Sequence, residues 1–324
     1  VRMESYIFAG DEIGWEFAVA LAERAQAGVK VRLHLDAAGA LGGATPPLVQ
    51  YVLEQGVQVR WFHRWSWLRP LRYNRRNHRK LLVVDERLAY VGGFNIHRQS
   101  SRRFFGETRW RDTHALISGA LVFDAVRFFD TFWRGQCYWA STHRDGASLI
   151  SNHTSTCRHR IRCLYSEAFA GARQHIYLTT PYFVPDLLMQ QRLTMAARRG
   201  VDVRLLVPLR NDVPLVRWAA RAFYAAMIAA GVRIYEYQPR MLHAKTLVID
   251  GKWAALGTAN FDYRSFFLNY ELVLSVHERD VCALLERQFL DDLSQSLPVT
   301  AGRWAQRRWP QRVLEWVGWI ARRW

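Results

Sequence analysis

The sequence predicts an α/β protein of two lobes related by a pseudo-twofold axis, each a mostly mixed sheet flanked by helices, with a candidate active site at the lobe interface. Three observations carry this. Half of the 324 residues are hydrophobic, enough for one large core or two fused ones. Strand-like and helix-like segments alternate along the chain, as they do in sheets covered by helices. One motif also occurs twice. The stretches Asn77 to Asp85 and Leu242 to Asp250 both contain H-x-K-x4-D, followed seven residues on by Gly92 and Gly257 and three further by Asn95 and Asn260. A single copy arises by chance at roughly the percent level in a chain this long. Two copies with the same sequel mark a duplication.

In order, Val1 to Ala9 reads as a strand entering a buried sheet. Glu12 to Gln26 carries Phe17, Ala18, Leu21 and Ala22 at helical spacing, and Gly28 ends that helix. Val29 to Leu35 is the next strand. Pro46 and Pro47 open a helix that closes at Gly56, and Val57 to Phe62 is a third strand leading to the first motif. Leu88 to Val91 and Thr113 to Ile117 read as strands, and Ala120 to Trp133 as a helix. The second half repeats this order: Gly200 to Val207 mirrors Gly28 to Leu35, and Gly231 to Tyr235 mirrors Gly56 to Arg60. The expected division is a first lobe over 1–140, a polar, unpatterned linker over 141–160, a second lobe over 161–298 and a basic, Trp-rich tail over 299–324.

The copies are unequal. Gly56 to Gly231 is an offset of 175 and His78 to His243 one of 165, so lobe one holds ten extra residues before its motif, within Trp61 to Arg76. This insertion is dense in Trp and Arg, including Trp65 and Trp67. Such composition favours a membrane interface, where rings sit at headgroup level and guanidinium meets phosphate; the alternative is a loop packed on its own lobe. In the tail, a helix from Pro310 would place Val313, Trp316, Val317 and Ile320 on one face, with Arg308, Arg312, Glu315 and Arg322 off it. The expected role is to lie in the plane of an anionic membrane, with packing against the body as the rival.

Formal charge is +17, which predicts attraction to polyanions, nucleic acid or anionic lipid alike. Cys137, Cys157, Cys163 and Cys282 show no metal spacing and read as reduced thiols facing a cytosol. There is no apolar run of about 18 residues, the length a membrane span needs, and no signal-peptide pattern. The chain opens on Val1 inside a strand, which reads as a fragment.

In an extended H-x-K, alternation puts His and Lys on one face. Two copies about a twofold axis gather two imidazoles and two ammonium groups, a set suited to a phosphodiester. Lys80 and Lys245, with the amides of Asn95 and Asn260, can neutralise and hydrogen-bond non-bridging oxygens. One neutral imidazole can attack phosphorus while the other protonates the leaving alkoxide. Each imidazole needs an acceptor at its other nitrogen, and each half offers an acid after its asparagine: Asp112 and Glu271. Asp85 and Asp250 lie five residues beyond the lysines, too far along a strand to reach the same phosphate, and are read as structural. No cofactor is required and no metal-ligand set is visible.

The duplicated motif resembles the signature of the phospholipase D superfamily. Thr179 to Asp186 (TTPYFVPD), Gly231 to Tyr237 and Ala259 to Phe266 resemble phrases of bacterial cardiolipin synthases. The resemblance covers nearly the whole chain and implies the phospholipase D fold. It implies His78 and His243 as the catalytic pair, His78 the nucleophile and His243 the acid and base, with Lys80, Lys245, Asn95 and Asn260 on phosphate. Lobe one departs in having Gly92-Gly93 where lobe two has Gly257-Thr258, so a hydroxyl contact is missing there. It also lacks the helix that Ser166 to Arg173 supplies in lobe two. The form implied is a short, peripheral member without N-terminal membrane spans, at the cytoplasmic face of a bacterial inner membrane. The function implied is transphosphatidylation of phosphatidylglycerol through a phosphohistidine. The alternatives are phospholipase D-type hydrolysis, a phosphodiesterase or nuclease, and a catalytically weak binder of anionic membranes. Anionic phospholipid is the expected partner and nucleic acid the disfavoured one, and no oligomeric state follows.

Overall fold

A computed structural model describes residues 1–40, 45–64, 67–68, 73–136, 146–152 and 159–320. Lobe one contains β1 (Arg2–Ser5), α1 (Glu12–Gln26), β2 (Arg32–Asp36), α2 (Thr45–Glu54), β3 (Gln58–Phe62), β4 (Leu81–Val84), β5 (Leu88–Gly92), α3 (Arg102–Phe105), β6 (His114–Ser118) and α4 (Leu121–Trp133). Then come β7 (Ala147–Ser151), α5 (Arg160–Gly171), β8 (His175–Thr179), β9 (Phe183–Val184), α6 (Leu187–Arg198), β10 (Asp202–Pro208), α7 (Pro214–Ala229) and β11 (Arg233–Tyr237). The remainder is β12 (Thr246–Ile249), β13 (Trp253–Gly257), β14 (Phe261–Asp262), α8 (Tyr263–Phe267), β15 (Leu272–Val276), α9 (Arg279–Ser294), β16 (Ser296–Pro298), α10 (Ala301–Ala305) and α11 (Trp309–Ile320).

The six-stranded sheet runs β3-β2-β1-β4-β5-β6 and the eight-stranded one β16-β11-β10-β8-β12-β13-β15-β7. Six strands of the larger sheet repeat the order of the smaller, with β16 and β7 added at its edges. In both, helical crossovers make the first three strands parallel, and the last three are antiparallel, the first pair of them joined by a tight hairpin and the last strand reached by a longer connection. The hairpins turn at Asp85-Glu86 and Asp250-Gly251, all with positive φ, a conformation that Gly and Asp tolerate best.

The sheets stack in a five-layer sandwich. α1 and α2 cover the outer face of the small sheet, with Leu33, Leu35 and Leu48 fully buried between them. α4 and α9 lie between the sheets, where Phe128 and Phe129 meet the same core as Leu285 and Phe289. α5, α6 and α7 cover the outer face of the large sheet. Burying each such side chain contributes roughly 1.5–3 kcal/mol, and because the middle core is shared, neither lobe keeps its interior without the other.

One expectation changes. The segment expected to be an unpatterned linker contains β7, which pairs with β15 along its whole length and buries Leu149 and Ile150. The strand is five residues long, with Leu149 and Ile150 adjacent rather than alternating, and too short to stand out against polar flanks. The outer face of lobe one is less covered than that of lobe two. α5 seats Tyr165 and Phe169 on the large sheet, whereas Leu116 on β6 is 58% exposed.

Candidate active site

The two motif segments enter the lobe interface just before β4 and β12 and pair there with the other lobe. The His78 N–H donates to the Tyr270 carbonyl at 2.9 Å, and the Tyr270 N–H to Arg76 at 2.8 Å. The mirror arrangement has the His243 N–H on the Arg111 carbonyl at 2.7 Å and the Arg111 N–H on Met241 at 2.8 Å. Tyr270 precedes Glu271 and Arg111 precedes Asp112, so each bridge delivers an acid to the histidine of the opposite lobe.

His78 Nδ1 lies 3.1 and 3.0 Å from the two carboxylate oxygens of Glu271. His243 Nδ1 lies 2.6 Å from Asp112 Oδ2. A carboxylate only accepts, so the proton sits on Nδ1 in both rings and Nε2 keeps its lone pair. Lys245 Nζ is also 2.9 Å from His243 Nδ1. One nitrogen cannot donate to Asp112 and accept from a lysine at once; the shorter, charge-assisted contact to Asp112 takes the proton. Tyr6 meets the His78 ring edge-on at 4.9 Å, and Trp110 lies 5.1 Å from the His243 ring.

The acids are held differently. Glu271 Oε2 accepts from the Thr258 hydroxyl at 2.5 Å and Oε1 from the Ser265 hydroxyl at 2.9 Å, and the Thr258 hydroxyl oxygen accepts the Leu272 N–H at 2.9 Å. Asp112 needs no such relay, because its Oδ1 accepts the Thr113 N–H directly at 2.8 Å. This accounts for Gly93, where lobe two has Thr258. A Cβ on Gly93 would fall 2.0 Å from Asp112 Oδ1, so the hydroxyl missing from lobe one is displaced by the acid itself.

Lys80 and Lys245 are buried, and each donates Nζ back to the carbonyl of its own motif histidine. Burial pushes Lys80 down to about 7 and Lys245 to about 8, and each feels the other lysine or both carboxylates. Burial also lowers His78, against the pull of Glu271. It lowers His243 to about 3, with Lys245 adding to it and Asp112 opposing. Asp112 is held below the usual carboxylate range: burial works against ionisation, but Lys245 and His243 outweigh it. Both imidazoles are therefore neutral at pH 7. Asn95 Oδ1 accepts from the Ile7 N–H at 3.3 Å. Asn260 is buried, and its side-chain oxygen finds no protein partner among the described residues. No group of three or more His, Cys, Asp or Glu among the described residues could hold a metal ion.

Asp85 and Asp250 lie at the hairpin turns, away from these groups. Asp250 accepts the N–H groups of Arg173, Gln174 and His175 at 2.7–2.9 Å. Three residues outside the predicted catalytic and phosphate-binding set brace the site. Thr258 and Ser265 fix Glu271, and Asn152, fully buried, accepts the Glu271 N–H at 3.0 Å and donates to Ser265 and Asn269. Thr258 was signalled by the Gly93 mismatch; Asn152 carried no signal, lying in the expected linker. Of the insertion, Trp65 lies outside the described residues, while Trp67 and Leu68 are 85% and 93% exposed. No helix among the described residues is long and apolar enough to cross a membrane.

A family model described as cardiolipin synthase, PLD-like domain matches residues 1–116 and 165–293, one block per lobe. The chain is 32% identical to a cardiolipin synthase of Clostridium perfringens over 333 residues, covering 97% of this chain and 70% of that one. It is 32% identical to a cardiolipin synthase of Staphylococcus aureus over 324 residues, covering 95% and 65%. It thus spans about two thirds of the length of these relatives. Among solved structures, a phosphatidylserine synthase of Haemophilus influenzae Rd KW20 superposes with a TM-score of 0.75 over 99% of this chain and 89% of that one, a likeness of fold at 14% identity. The matches fall on both motif copies and span both lobes, and the chain belongs to the cardiolipin synthase family of the phospholipase D superfamily.

Proposed function

We propose that the chain is a phosphatidyltransferase that converts two phosphatidylglycerol molecules into cardiolipin and glycerol through a phosphohistidine. The observation that carries this is the crossed pairing, in which each motif histidine has Nδ1 on an acid of the other lobe and a buried lysine beside it. Nε2 of His78 attacks the donor phosphorus and the bond to the headgroup glycerol oxygen breaks. His243 gives that oxygen a proton, and glycerol leaves. His243 then takes the proton from a hydroxyl of a second phosphatidylglycerol, whose oxygen attacks phosphorus and releases His78. One diester replaces another, so no nucleotide is consumed.

The electrostatics fit an anionic diester. With both imidazoles neutral, the positive charge of the site comes from Lys245 and from Lys80, the latter only partly protonated at pH 7 because burial holds it at about 7. A bound diester adds one negative charge, which favours proton uptake by one histidine and charging of both lysines. Asn95 and Asn260 complete the phosphate site, the latter turning its amide so that NH2 meets a substrate oxygen. Asp85 and Asp250 hold their hairpins. The protein works at an anionic membrane surface, to which its net charge of +17 draws it.

The test is lipid analysis after incubation with phosphatidylglycerol vesicles. Cardiolipin with equimolar glycerol supports the reading. Phosphatidic acid would make the protein a hydrolase, absence of both a binder, and cleavage of plasmid in chelator a nuclease. His78→Ala and His243→Ala should each lower kcat at least about a thousandfold. A phosphorylated enzyme should be trapped in His243→Ala alone; trapping in His78→Ala alone exchanges the two roles.

A further inference from the structure

The terminal helix packs with its faces reversed from the order that water selects. α11 lies on α7, as the rival to a purely membrane-embedded tail required, but it turns Glu315 and Gly318 inward. A Cβ on Gly318 would fall 2.3 Å from the Ala219 backbone nitrogen, so the two helices touch through backbone. Glu315 meets Arg307 Nε at 3.0 Å and Arg221 Nε at 3.5 Å. Both guanidinium groups lie over the Trp304 ring, at 4.3 and 4.8 Å. The face with Trp309, Val313, Trp316, Val317 and Ile320 points outward, Trp309 75% and Trp316 62% exposed. A surface helix ordinarily buries its apolar stripe and leaves its acids in water. Here an ion-pair network and a close helix contact hold that stripe in solvent.

We propose that α11 is a prebuilt docking helix for the surface of an anionic phospholipid bilayer. This deepens the phospholipid reading above and rests on it. Charge complementarity selects the occupant: Arg308, just before the helix, and Arg312, within it, are exposed, on a chain of net charge +17. Tryptophan and arginine together match the headgroup layer rather than the dry core of a protein interface. Position agrees. Trp319 lines, with Leu187, Phe223 and Tyr263, a cleft of about 350 Å³. Tyr263 opens α8, three residues after Asn260, and the neighbouring Arg264 donates to Asn74 of the Trp-rich insertion at 2.9–3.0 Å. The docking helix, the cleft and the insertion thus border α8 beside the candidate site. Leu187, 70% exposed at the rim, extends the apolar surface toward it.

The test is co-sedimentation of the full chain with phosphatidylglycerol vesicles and with phosphatidylcholine vesicles, at low and high salt. Trp309→Glu with Trp316→Glu leaves Glu315 and Gly318 in place. This double variant should bind phosphatidylglycerol vesicles at least about tenfold more weakly than wild type, and both proteins should turn over monomeric short-chain phosphatidylglycerol equally. Undiminished vesicle binding overturns the proposal, as does a wild-type dimer that the variant dissolves without loss of lipid binding. Inactivity of wild type on the short-chain substrate strikes the enzymatic reading instead and leaves the docking measurement standing.

Discussion

His78 and His243 do the same geometric job with different supports. His78 faces both oxygens of a glutamate that Thr258 and Ser265 hold in place, whereas His243 faces one oxygen of an aspartate whose other oxygen accepts the backbone N–H of the next residue, Thr113. A longer acid with a hydroxyl relay and a shorter acid without one reach the same imidazole nitrogen. The difference shows that the unit repeated by the duplication is an acceptor position rather than a residue. It also makes Gly93 with Asp112, and Thr258 with Glu271, interdependent pairs. Since each acid comes from the opposite lobe, the halves form one site rather than two.

The largest break of this comparison comes from neutralising the acids. In Asp112→Asn, the amide oxygen must stay on the Thr113 N–H, which places NH2 against His243 Nδ1 and forces the wrong tautomer. A loss of kcat on the order of a thousandfold or more is expected. In Glu271→Gln either position faces His78 at 3.0–3.1 Å. An acceptor survives, and the loss should stay within about a hundredfold. Equal losses in the two variants would show that the supports are equivalent after all.

A milder exchange converts one support into the other. Gly93→Thr places a side chain where Asp112 now lies and should lower kcat about a hundredfold by pushing the carboxylate off His243. Adding Asp112→Glu gives lobe one the acid and hydroxyl of lobe two, and should bring activity back to within about tenfold of wild type. If the double variant is no better than Gly93→Thr, the two positions are not coupled in the way the geometry indicates.

Much of this was legible in the sequence because the signals were local or repeated. The duplication marked two halves with the same order of elements along the chain and the two motif segments, and the structure gathers His78, Lys80, His243, Lys245, Asp112 and Glu271 at one interface. What stayed hidden depends on contacts distant in sequence. The crossing of the acids joins residues 193 and 131 positions apart, and no spacing rule reaches that far. β7 was hidden by its brevity. α11 was read correctly as amphipathic, yet periodicity finds a stripe without saying which side packs. The informative residues were on the thin side, where Gly318 admits a close helix and Glu315 meets two arginines.

The pH dependence of stability separates His243 from the acids around it. Its folded pKa of about 3 lies below the ordinary 6.5, so between those values the unfolded chain binds the extra proton. Stability is full above about pH 6.5 and is lost as pH falls toward 3, by about 2 kcal/mol between pH 7 and pH 5. Burial lowers His78 too, with the same sign. His243→Asn should remove most of its own share, measured as the change in urea midpoint between the two pH values. A variant with the wild-type slope would mean that His243 titrates normally in the folded protein.

The smallest effect tests the two aspartates that end the motifs. Asp250 ties three backbone N–H groups at the start of β8, and these donors outweigh its partial burial and keep its pKa below the usual range. Asp85 turns the equivalent hairpin with φ at 53°, a conformation that glycine adopts without strain. Asp250→Gly should therefore lower stability by about 1–2 kcal/mol through the lost acceptor. Asp85→Gly should stay within about 0.5 kcal/mol, as relief of the left-handed turn offsets the greater freedom of the unfolded chain. Activity per folded molecule should be unchanged in both, since neither carboxylate borders the histidines. A drop in kcat in the Asp85 variant without a drop in stability would give the motif's last residue a part in the chemistry that its position at the far end of β4 denies it.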